Sequence, residues 1–501
     1  MTRYTRRGFL AASSAMSAAL LLPARLRAAP EPMTLAATTR TIEVKGRAAT
    51  VLGLASNTGG QGLVLDPGQR FRVELANALD TETIIHWHGQ IPPNAQDGAP
   101  NTNPMLAPGE RRSYDFAPRP GTFWMHSHIP AQEIAMLAAP LIVRSAADAA
   151  ADRQEVVLFL HDFSFKSPEE LLAGLTGGGG DHGMSHSSAD GSMAAPQGGM
   201  AGMDHGMAGM EMPQAGTMPG MSGMSGMAMD LNDVDFDAYL ANDRTLDDPE
   251  VVAVERAGRV RLRIVNASSM TSYWIDTGAL QGTLAAVDGD PVLPVAGSRF
   301  PISPAQRLEI DLELPGDGLA RPVLALREGA REQTGIILAP AGSDVPRLRS
   351  LAAEQTPPVA GDMRLELALR AAVPLAPRPV DERRVVTLGG SMDPYAWTIN
   401  GAGWDTHEPI AVRHGARVEM EFRNMSMMAH PMHLHGHAFQ VAAINGQSVA
   451  GAMRDTVLVP AMGTVAVAFD AGESARWMLH CHQMGHLATG MMTELAVHAT
   501  A

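Results

Sequence analysis

The tripeptide His480-Cys481-His482 is the feature that most restricts how this chain can fold, because Cys481 is its only cysteine. His486 follows five residues after Cys481, and Met491 comes five residues after that. One thiolate, two imidazoles and a weakly bound axial thioether form the ligand set of copper centres built for electron transfer. In an extended segment Cys481 faces one side and its flanking histidines face the other. One tripeptide can therefore contact two metal sites, and the cysteine backbone is then the path for electrons between them.

A second metal site needs further ligands, and three other histidine clusters can supply them. The clusters are His86-Trp87-His88-Gly89, His126-Ser127-His128 and His430-Pro431-Met432-His433-Leu434-His435-Gly436. The His-x-His spacing places both imidazoles on one side of an extended segment, which suits adjacent metal ions. A single pair of this kind is more often an ordinary surface or core feature. Four clusters with one matched cysteine indicate a multinuclear metal site instead.

With all four clusters present in this order, the sequence resembles the multicopper oxidases, the group that includes three-domain bacterial laccases and copper-resistance cuprous oxidases. The resemblance implies four copper ions: one of type 1, one of type 2 and two of type 3. It implies that the type-1 copper is held by His430, Cys481 and His486, with Met491 as axial ligand. It implies that the type-2 copper is held by His86 and His433. It implies that the type-3 pair is held by His88, His126, His128, His435, His480 and His482.

Asp97, in Gln96-Asp97-Gly98, is a further candidate for a catalytic role. In the relatives an acidic residue at this place lies beside the type-2 copper and assists proton delivery to oxygen. The alternative is an ordinary turn aspartate ahead of a glycine. The chain also departs from certain cuprous oxidases, which carry acidic residues where it has Leu487 and Ser426. These departures leave the detailed substrate site open.

The remainder of the mature chain predicts an all-β protein of several domains. Its length of 501 residues is too great for one core and suggests about three domains. Segments 71–75, 260–265 and 418–422 alternate with period two, and each leads into a turn that carries an asparagine. This repeat favours three related Greek-key barrels, which the resemblance identifies as cupredoxin domains.

We place these domains at residues 29–147, 148–350 and 351–501. The histidine clusters fall only in the first and third domains, so we expect the copper site at the interface of those two. The middle domain carries no metal signature, and its simplest role is spacing and packing. His407, His414 and His498 have no partner at a ligand spacing and are expected to be solvated.

An insertion at residues 177–229 interrupts the β pattern. It is composed almost entirely of Gly, Met, Ser, Ala, His and Asp, with twelve methionines from Met184 to Met229, and Asp-His-Gly-Met occurs twice. With few β-branched or aromatic residues it cannot bury a core, so we expect disorder in the absence of a ligand. Thioethers prefer Cu(I). The segment therefore favours copper recruitment, and the alternative is a linker of no function.

The N-terminus indicates export. Arg6 and Arg7 precede an apolar, alanine-rich run that ends before Pro23, a pattern that resembles a twin-arginine signal over residues 1–28. The translocase of that pathway is the expected partner during export, and the periplasm the expected location. The formal net charge of −15 argues against nucleic acid or an anionic membrane as a partner. No later segment is apolar over the length that a stable membrane helix needs.

These observations predict a secreted oxidase that takes electrons from a reductant and reduces dioxygen to water. An axial methionine indicates a modest type-1 potential, which favours easily oxidised reductants such as Cu(I) or electron-rich phenols. Two alternatives remain: a phenol-oxidising laccase whose methionine segment is a plain linker, and a copper-sequestering protein without turnover. The sequestering protein would not need an intact set of type-2 and type-3 histidines.

Overall fold

The structure, a computed structural model, describes residues 32–57, 59–177 and 231–499, so the leader and the insertion beyond Gly177 lie outside the described residues. The strands are β1 (Met33–Val44), β2 (Arg47–Ser56), β3 (Leu63–Leu65), β4 (Phe71–Asn77), β5 (Ile85–His86), β6 (Arg111–Phe116), β7 (Gly121–Ser127), β8 (Ala138–Val143), β9 (Gln154–Phe163), β10 (Ala238–Ala241), β11 (Val251–Val254), β12 (Arg259–Asn266), β13 (Tyr273–Asp276), β14 (Gly282–Val287), β15 (Asp290–Gly297), β16 (Arg299–Ile302), β17 (Arg307–Glu313), β18 (Arg321–Arg327), β19 (Gln333–Pro340), β20 (Glu382–Met392), β21 (Tyr395–Ile399), β22 (Ile410–Arg413), β23 (Arg417–Asn424), β24 (His430–Leu434), β25 (Phe439–Ile444), β26 (Gln447–Ser448), β27 (Met453–Arg454), β28 (Thr456–Val459), β29 (Thr464–Asp470), β30 (Arg476–Cys481) and β31 (Met492–His498).

The described α-helices are all short. They are α1 (Pro130–Ile134), α2 (Ala146–Ala150), α3 (Pro168–Thr176), α4 (Arg364–Ala368) and α5 (Met484–Ala488). Single turns of 3-10 helix occur at Asn94–Gln96, Val359–Gly361 and Trp404–Thr406. Within the described residues, no helix has the length and apolar character needed to cross a membrane.

The strands form six sheets, two in each of three successive units. The first unit has sheets of order β2-β1-β4-β6 and β3-β8-β7-β5. The middle unit has β10-β9-β12-β17-β14-β15 and β11-β19-β18-β13-β16. The third has β21-β20-β23-β29-β25-β26, with β27 on β25, and β22-β31-β30-β24-β28. The boundaries near residues 148 and 350 stay a prediction.

The three units repeat one pairing pattern. In each, the first long strand runs parallel to the repeat strand (β1 with β4, β9 with β12, β20 with β23), which pairs antiparallel with β6, β17 or β29. The asparagine that ends each repeat strand makes the same contacts. The side chains of Asn77, Asn266 and Asn424 accept a bond from the backbone amide two residues later and donate to carbonyls of the same turn. The prediction of three related all-β units is confirmed.

Each unit has its own apolar core, which lies between its two sheets. Phe71 and Phe123 belong to the core of the first unit, Leu262 and Ile336 to that of the middle unit, and Leu479 to that of the third. Alternation along β4, where buried and half-buried residues alternate, follows from the two faces of a pleated strand. Polar contacts then join the first and third units: the Asn94 side chain donates to the Arg476 carbonyl at 2.8 Å, and Asn101 donates to Glu494 at 3.0 Å.

Candidate metal centres

The thiol of Cys481 lies in a buried group with two histidines of the third unit. Its Sγ is 3.5 Å from His486 Nδ1 and 3.7 Å from His430 Nδ1, and these two nitrogens are 3.1 Å apart. Met491 is fully buried in the same core. Its carbonyl accepts from the Cys481 amide at 3.1 Å, and its amide donates to the His486 carbonyl at 3.0 Å. The backbone therefore brings all four candidate type-1 residues together.

Strand register separates Cys481 from the histidines on either side of it. Strands β24 and β30 are antiparallel, with Met432 opposite Cys481 and His433 opposite His480. Side chains alternate between the faces of a sheet, so His430 shares the face of Cys481 while His433 shares that of His480. The prediction that the tripeptide would contact two sites is therefore supported by the register of its own sheet.

Eight further imidazoles converge at the interface of the first and third units, four from each. They form three groups, of which the first two share His88: His86, His88 and His433; His88, His126 and His482; and His128, His435 and His480. The contacts across the interface include His86 Nε2 to His433 Nε2 at 3.5 Å and His128 Nε2 to His435 Nε2 at 3.3 Å. In the first unit, β5 pairs with β7 so that His86 lies opposite His126. This pairing fixes the relative positions of the imidazoles that the first unit contributes.

The donor geometry fits metal ions. Two nitrogens bound at about 2.0–2.1 Å to one ion at a tetrahedral angle lie about 3.3 Å apart. The separations here include 3.4 Å between His88 Nδ1 and His126 Nε2 and 3.1 Å between His435 Nε2 and His480 Nε2. Burial lowers the pKa of His86, His88 and His435, and that of His480 to about 3, so each of these rings keeps a free lone pair. Burial also raises the pKa of the Cys481 thiol, which becomes a thiolate only beside a cation.

Asp97 lies against the interface site, and its proposed role beside the type-2 copper stays a prediction. The 3-10 turn Asn94–Gln96 ends at this residue, and its Oδ2 is 2.8 Å from His435 Nδ1 while its backbone carbonyl is 2.9 Å from His86 Nδ1. The side chain is fully buried, and burial raises the pKa of Asp97 to about 8. Gly98 adopts a φ of 78°, and a Cβ there would lie 1.8 Å from the Ile85 carbonyl oxygen. The glycine is thus required for the close approach of Asp97 to His86.

Sequence reasoning missed Arg307 and Asp455, which form a buried ion pair behind the interface site. Asp455 Oδ1 is 3.2 Å from His88 Nε2, and the Asp455 carbonyl is 2.8 Å from His433 Nδ1. Arg307, from β17 of the middle unit, donates to both carboxylate oxygens of Asp455. A Cβ on Gly89 would lie 2.5 Å from both side chains, which explains the glycine after His88. The expectation that the middle unit serves only spacing and packing is therefore too narrow.

A second residue of the middle unit, Asp233, lies beside the thiol group. Its Oδ2 is 3.0 Å from His486 Nε2 and accepts a hydrogen bond from the Tyr395 hydroxyl at 2.5 Å. Trp397 packs on the His486 ring, with 4.1 Å between ring centroids. The other histidine of this group has a neutral partner, because Ser426 Oγ is 2.8 Å from His430 Nε2. Ser426 thus contacts the imidazole from the position where certain cuprous oxidases carry an aspartate.

Two cavities reach the candidate centres. One of about 560 Å³ touches His128, the most exposed imidazole of the interface site at 6%, and runs between Trp404 and Leu487. The other, of about 280 Å³, lies beside Gln483 and is lined by Met427 and Met428. Leu231, the first described residue after the insertion, also lines this second cavity.

One sequence expectation is wrong for a single histidine. His407 is not solvated: it stacks on Trp404 with 4.4 Å between ring centroids, and its Nε2 is 3.4 Å from Glu494. Glu494 is 87 residues away from His407 in sequence, so the spacing of the histidines could not reveal this contact. His414 and His498 are exposed, as expected.

Comparison with known proteins agrees with this geometry. Multicopper oxidase family models match residues 36–148, 186–317 and 377–501, which together make up most of the chain. The chain belongs to the multicopper oxidase family, and it is a copper-dependent oxidoreductase. It is 29% identical over 440 residues to the multicopper oxidase MmcO of Mycobacterium tuberculosis, covering 85% of this chain and 79% of that protein.

Other relatives are more distant. Copper resistance protein A of Escherichia coli is 24% identical over 534 residues, covering 86% of each chain. Among solved structures, the laccase from Botrytis aclada superposes with a TM-score of 0.70 at 20% sequence identity, covering 93% of this chain and 87% of that one. This structural likeness establishes the cupredoxin fold of the three units.

Proposed function

We propose that the protein holds four copper ions and couples one-electron oxidation of Cu(I), or of phenols, to the reduction of dioxygen to water. The type-1 ion is assigned to His430, Cys481 and His486, with Met491 axial. The type-2 ion is assigned to His86 and His433, and the type-3 pair to His88, His126, His128, His435, His480 and His482. When bound, these ions supply the one-electron redox chemistry, which the protein orients and protects. One observation supports the proposal most directly. Cys481 belongs to the buried group with His430 and His486, whereas its neighbours His480 and His482 belong to two groups of the interface site.

The polypeptide's own contribution is a closed and ordered site. Seven of the eight interface imidazoles are at most 1% exposed, so bulk water is excluded from the nitrogens that would hold the copper ions. Asp97 is assigned the delivery of protons, because its carboxyl is buried at hydrogen-bond distance from His435.

Cu(I) is the substrate that the surface near the type-1 group supports best. Met425, Met427 and Met462 are 62%, 76% and 60% exposed. They flank the turn whose Ser426 hydroxyl contacts His430, and the Met462 amide donates to the Ser426 carbonyl. Thioethers are soft ligands that prefer Cu(I). Leu231, the first described residue after the insertion, lines the same cavity as Met427, and the likeness to copper resistance proteins agrees with a role in copper tolerance.

Phenol oxidation is the second candidate, because the cavity of about 280 Å³ beside Gln483 has room for a small aromatic ring. A sequestering protein without turnover is the third, and the complete set of interface imidazoles argues against it. The twin-arginine pattern of residues 1–28 supports export to the periplasm, where the protein would meet copper.

Deleting residues 182–229 tests the substrate assignment. A second variant keeps the length of the segment and replaces its twelve methionines by leucine, which removes the sulfur and keeps the apolar bulk. It separates the loss of thioethers from the loss of the segment itself. We expect both variants to retain four coppers, to lose most Cu(I) oxidation, and to oxidise a dimethoxyphenol at least as fast as the parent. Parallel assays use Cu(I), Fe(II) and the phenol on fully loaded protein. Unchanged Cu(I) oxidation in both variants would favour the laccase alternative.

A further inference from the structure

Glu133 is a buried carboxylate that the assigned functions do not use. It lies on α1, which follows directly after His128, and its side chain is 2% exposed. Burial raises the pKa of its carboxyl. Burying a carboxyl without strong partners is costly, so its position needs an explanation.

The two oxygens of Glu133 face the outer nitrogens of two different imidazoles. Oε2 is 2.7 Å from His126 Nδ1, and Oε1 is 3.5 Å from His482 Nδ1. Both imidazoles belong to the group that also contains His88, and His126 Nε2 is 3.4 Å from His88 Nδ1. Neither Glu133 Oε1 nor His482 Nδ1 makes a hydrogen bond to any described residue, and the two atoms face each other at 3.5 Å. The Glu133 carboxylate therefore lies next to the outer nitrogens of two rings, His126 of the first unit and His482 of the third.

The two candidate type-3 groups differ in their outer contacts. In the first group all three rings face a carboxylate, because His88 Nε2 is 3.2 Å from Asp455 while His126 and His482 face Glu133. In the second group only His435 faces a carboxylate, Asp97, and His480 Nδ1 is 3.0 Å from the backbone carbonyl of Cys481. His126 of the first group has a backbone carbonyl too, that of Ser127 at 2.9 Å from Nδ1, in addition to Glu133. An outer carboxylate fixes the orientation of a ligand imidazole and raises its basicity.

We propose that Glu133 is a positioning residue that holds His126 and His482 with their Nε2 atoms toward one type-3 copper. This inference rests on the type-3 ligands assigned above. Because the two rings come from different units, Glu133 also ties the docking of those units to the geometry of this one ion. The copper on His88, His126 and His482 should then depend on Glu133 more strongly than the other three coppers do.

The test compares Glu133→Ala and Glu133→Gln with the parent holoenzyme. Losing an outer-shell partner costs about 10- to 100-fold in metal affinity, so Glu133→Ala should release one copper about 10- to 100-fold faster in a chelator. Glu133→Gln should release this copper at a rate between those of the parent and of Glu133→Ala, because the glutamine amide oxygen can still accept a hydrogen bond from one ring. Spin coupling hides the type-3 pair from electron paramagnetic resonance. Loss of one member should therefore lower the copper per chain by one and raise the visible copper by one, with the blue absorption unchanged.

Asp162→Asn is the matched control, because Asp162 is an equally buried carboxylate that bonds Ser269, Met270 and Thr271 and no candidate ligand. The inference is overturned if the Glu133 variants keep all coppers and the parent spectrum. It is also overturned if they lose every copper in parallel, or if Asp162→Asn releases the same single ion. A parent holoenzyme without a spin-coupled pair would instead overturn the type-3 assignment itself.

Discussion

The type-1 group and the interface site are built in different ways, although β24 and β30 contribute to both. All the type-1 candidates, from His430 to Met491, belong to the third unit, and they are brought together by one sheet and the short helix α5. The interface site takes four imidazoles from each of two units. The first arrangement depends on the folding of one domain, whereas the second also requires two domains to dock in register. Perturbing that docking should therefore damage the interface site first.

The outer contacts of the two sites differ in charge as well. At the type-1 group one imidazole faces a carboxylate, Asp233, and the other faces the hydroxyl of Ser426. At the interface site three buried carboxylates, Asp97, Glu133 and Asp455, lie behind the imidazoles. Under the proposed assignment the interface site holds three cations, which need more compensating negative charge than the single cation of the type-1 group with its thiolate ligand. The distribution of carboxylates follows that requirement.

The largest effect is expected from Cys481→Ser, which breaks the link between the two sites. The hydroxyl is a poor ligand for this centre, and the intense visible absorption arises from charge transfer between thiolate and copper. We expect the blue colour and all substrate oxidation to disappear, while the interface site keeps most of its copper. Visible spectra and copper analysis of the same sample measure both quantities.

If the Cys481→Ser protein lost its interface copper as well, the claim that the two sites assemble independently would be contradicted. A variant that stayed blue would contradict the type-1 assignment directly.

The grouping of the candidate ligands could be predicted from sequence, because their spacing along strands is local. His480, Cys481 and His482 alternate between two faces whatever the rest of the fold does. The repeat strands were also recognisable, and the asparagines that end them make equivalent contacts in all three units. Short-range periodicity carries this information, and no tertiary knowledge is needed to read it.

The outer contacts could not be predicted, because they depend on how separate units dock. Glu133 lies near two ligands in sequence, but its partner His482 comes from another unit. Arg307 reaches Asp455 across an interface, and Asp233 reaches His486 in the same way. A lone charged residue in a β-rich sequence is usually solvated. The one available signal was the glycine after His88, whose missing Cβ makes room for the Arg307–Asp455 pair.

A smaller effect is expected at the interface site from Asp97→Asn. Reduction of dioxygen to water consumes four protons in a closed site, and a positioned acid–base group contributes about a hundred- to ten-thousand-fold in rate. Reoxidation of the reduced enzyme by dioxygen should slow by roughly ten- to a thousand-fold, which is at or just below that scale. Reduction of the type-1 centre by substrate should not change, and stopped-flow absorption separates the two steps. Asp115→Asn, at an exposed aspartate of the same unit, is the control. If both variants are reoxidised at the same rate, Asp97 does not deliver protons, and the alternative of an ordinary turn aspartate is favoured.

The smallest effect is expected from Asp233→Asn, which removes the only carboxylate that faces the type-1 group within the described residues. A negative charge 3.0 Å from His486 Nε2 stabilises the more highly charged, oxidised ion, so its loss should raise the type-1 potential. The expected rise is tens of millivolts, up to about 60 mV, which is tenfold in a one-electron equilibrium constant. Redox titration of the blue band measures the potential. Asp235→Asn makes the same chemical change at an 84% exposed side chain two residues away and should leave the potential unchanged. If Asp233→Asn shifts the potential no more than Asp235→Asn does, the middle unit influences only the interface site, through Arg307.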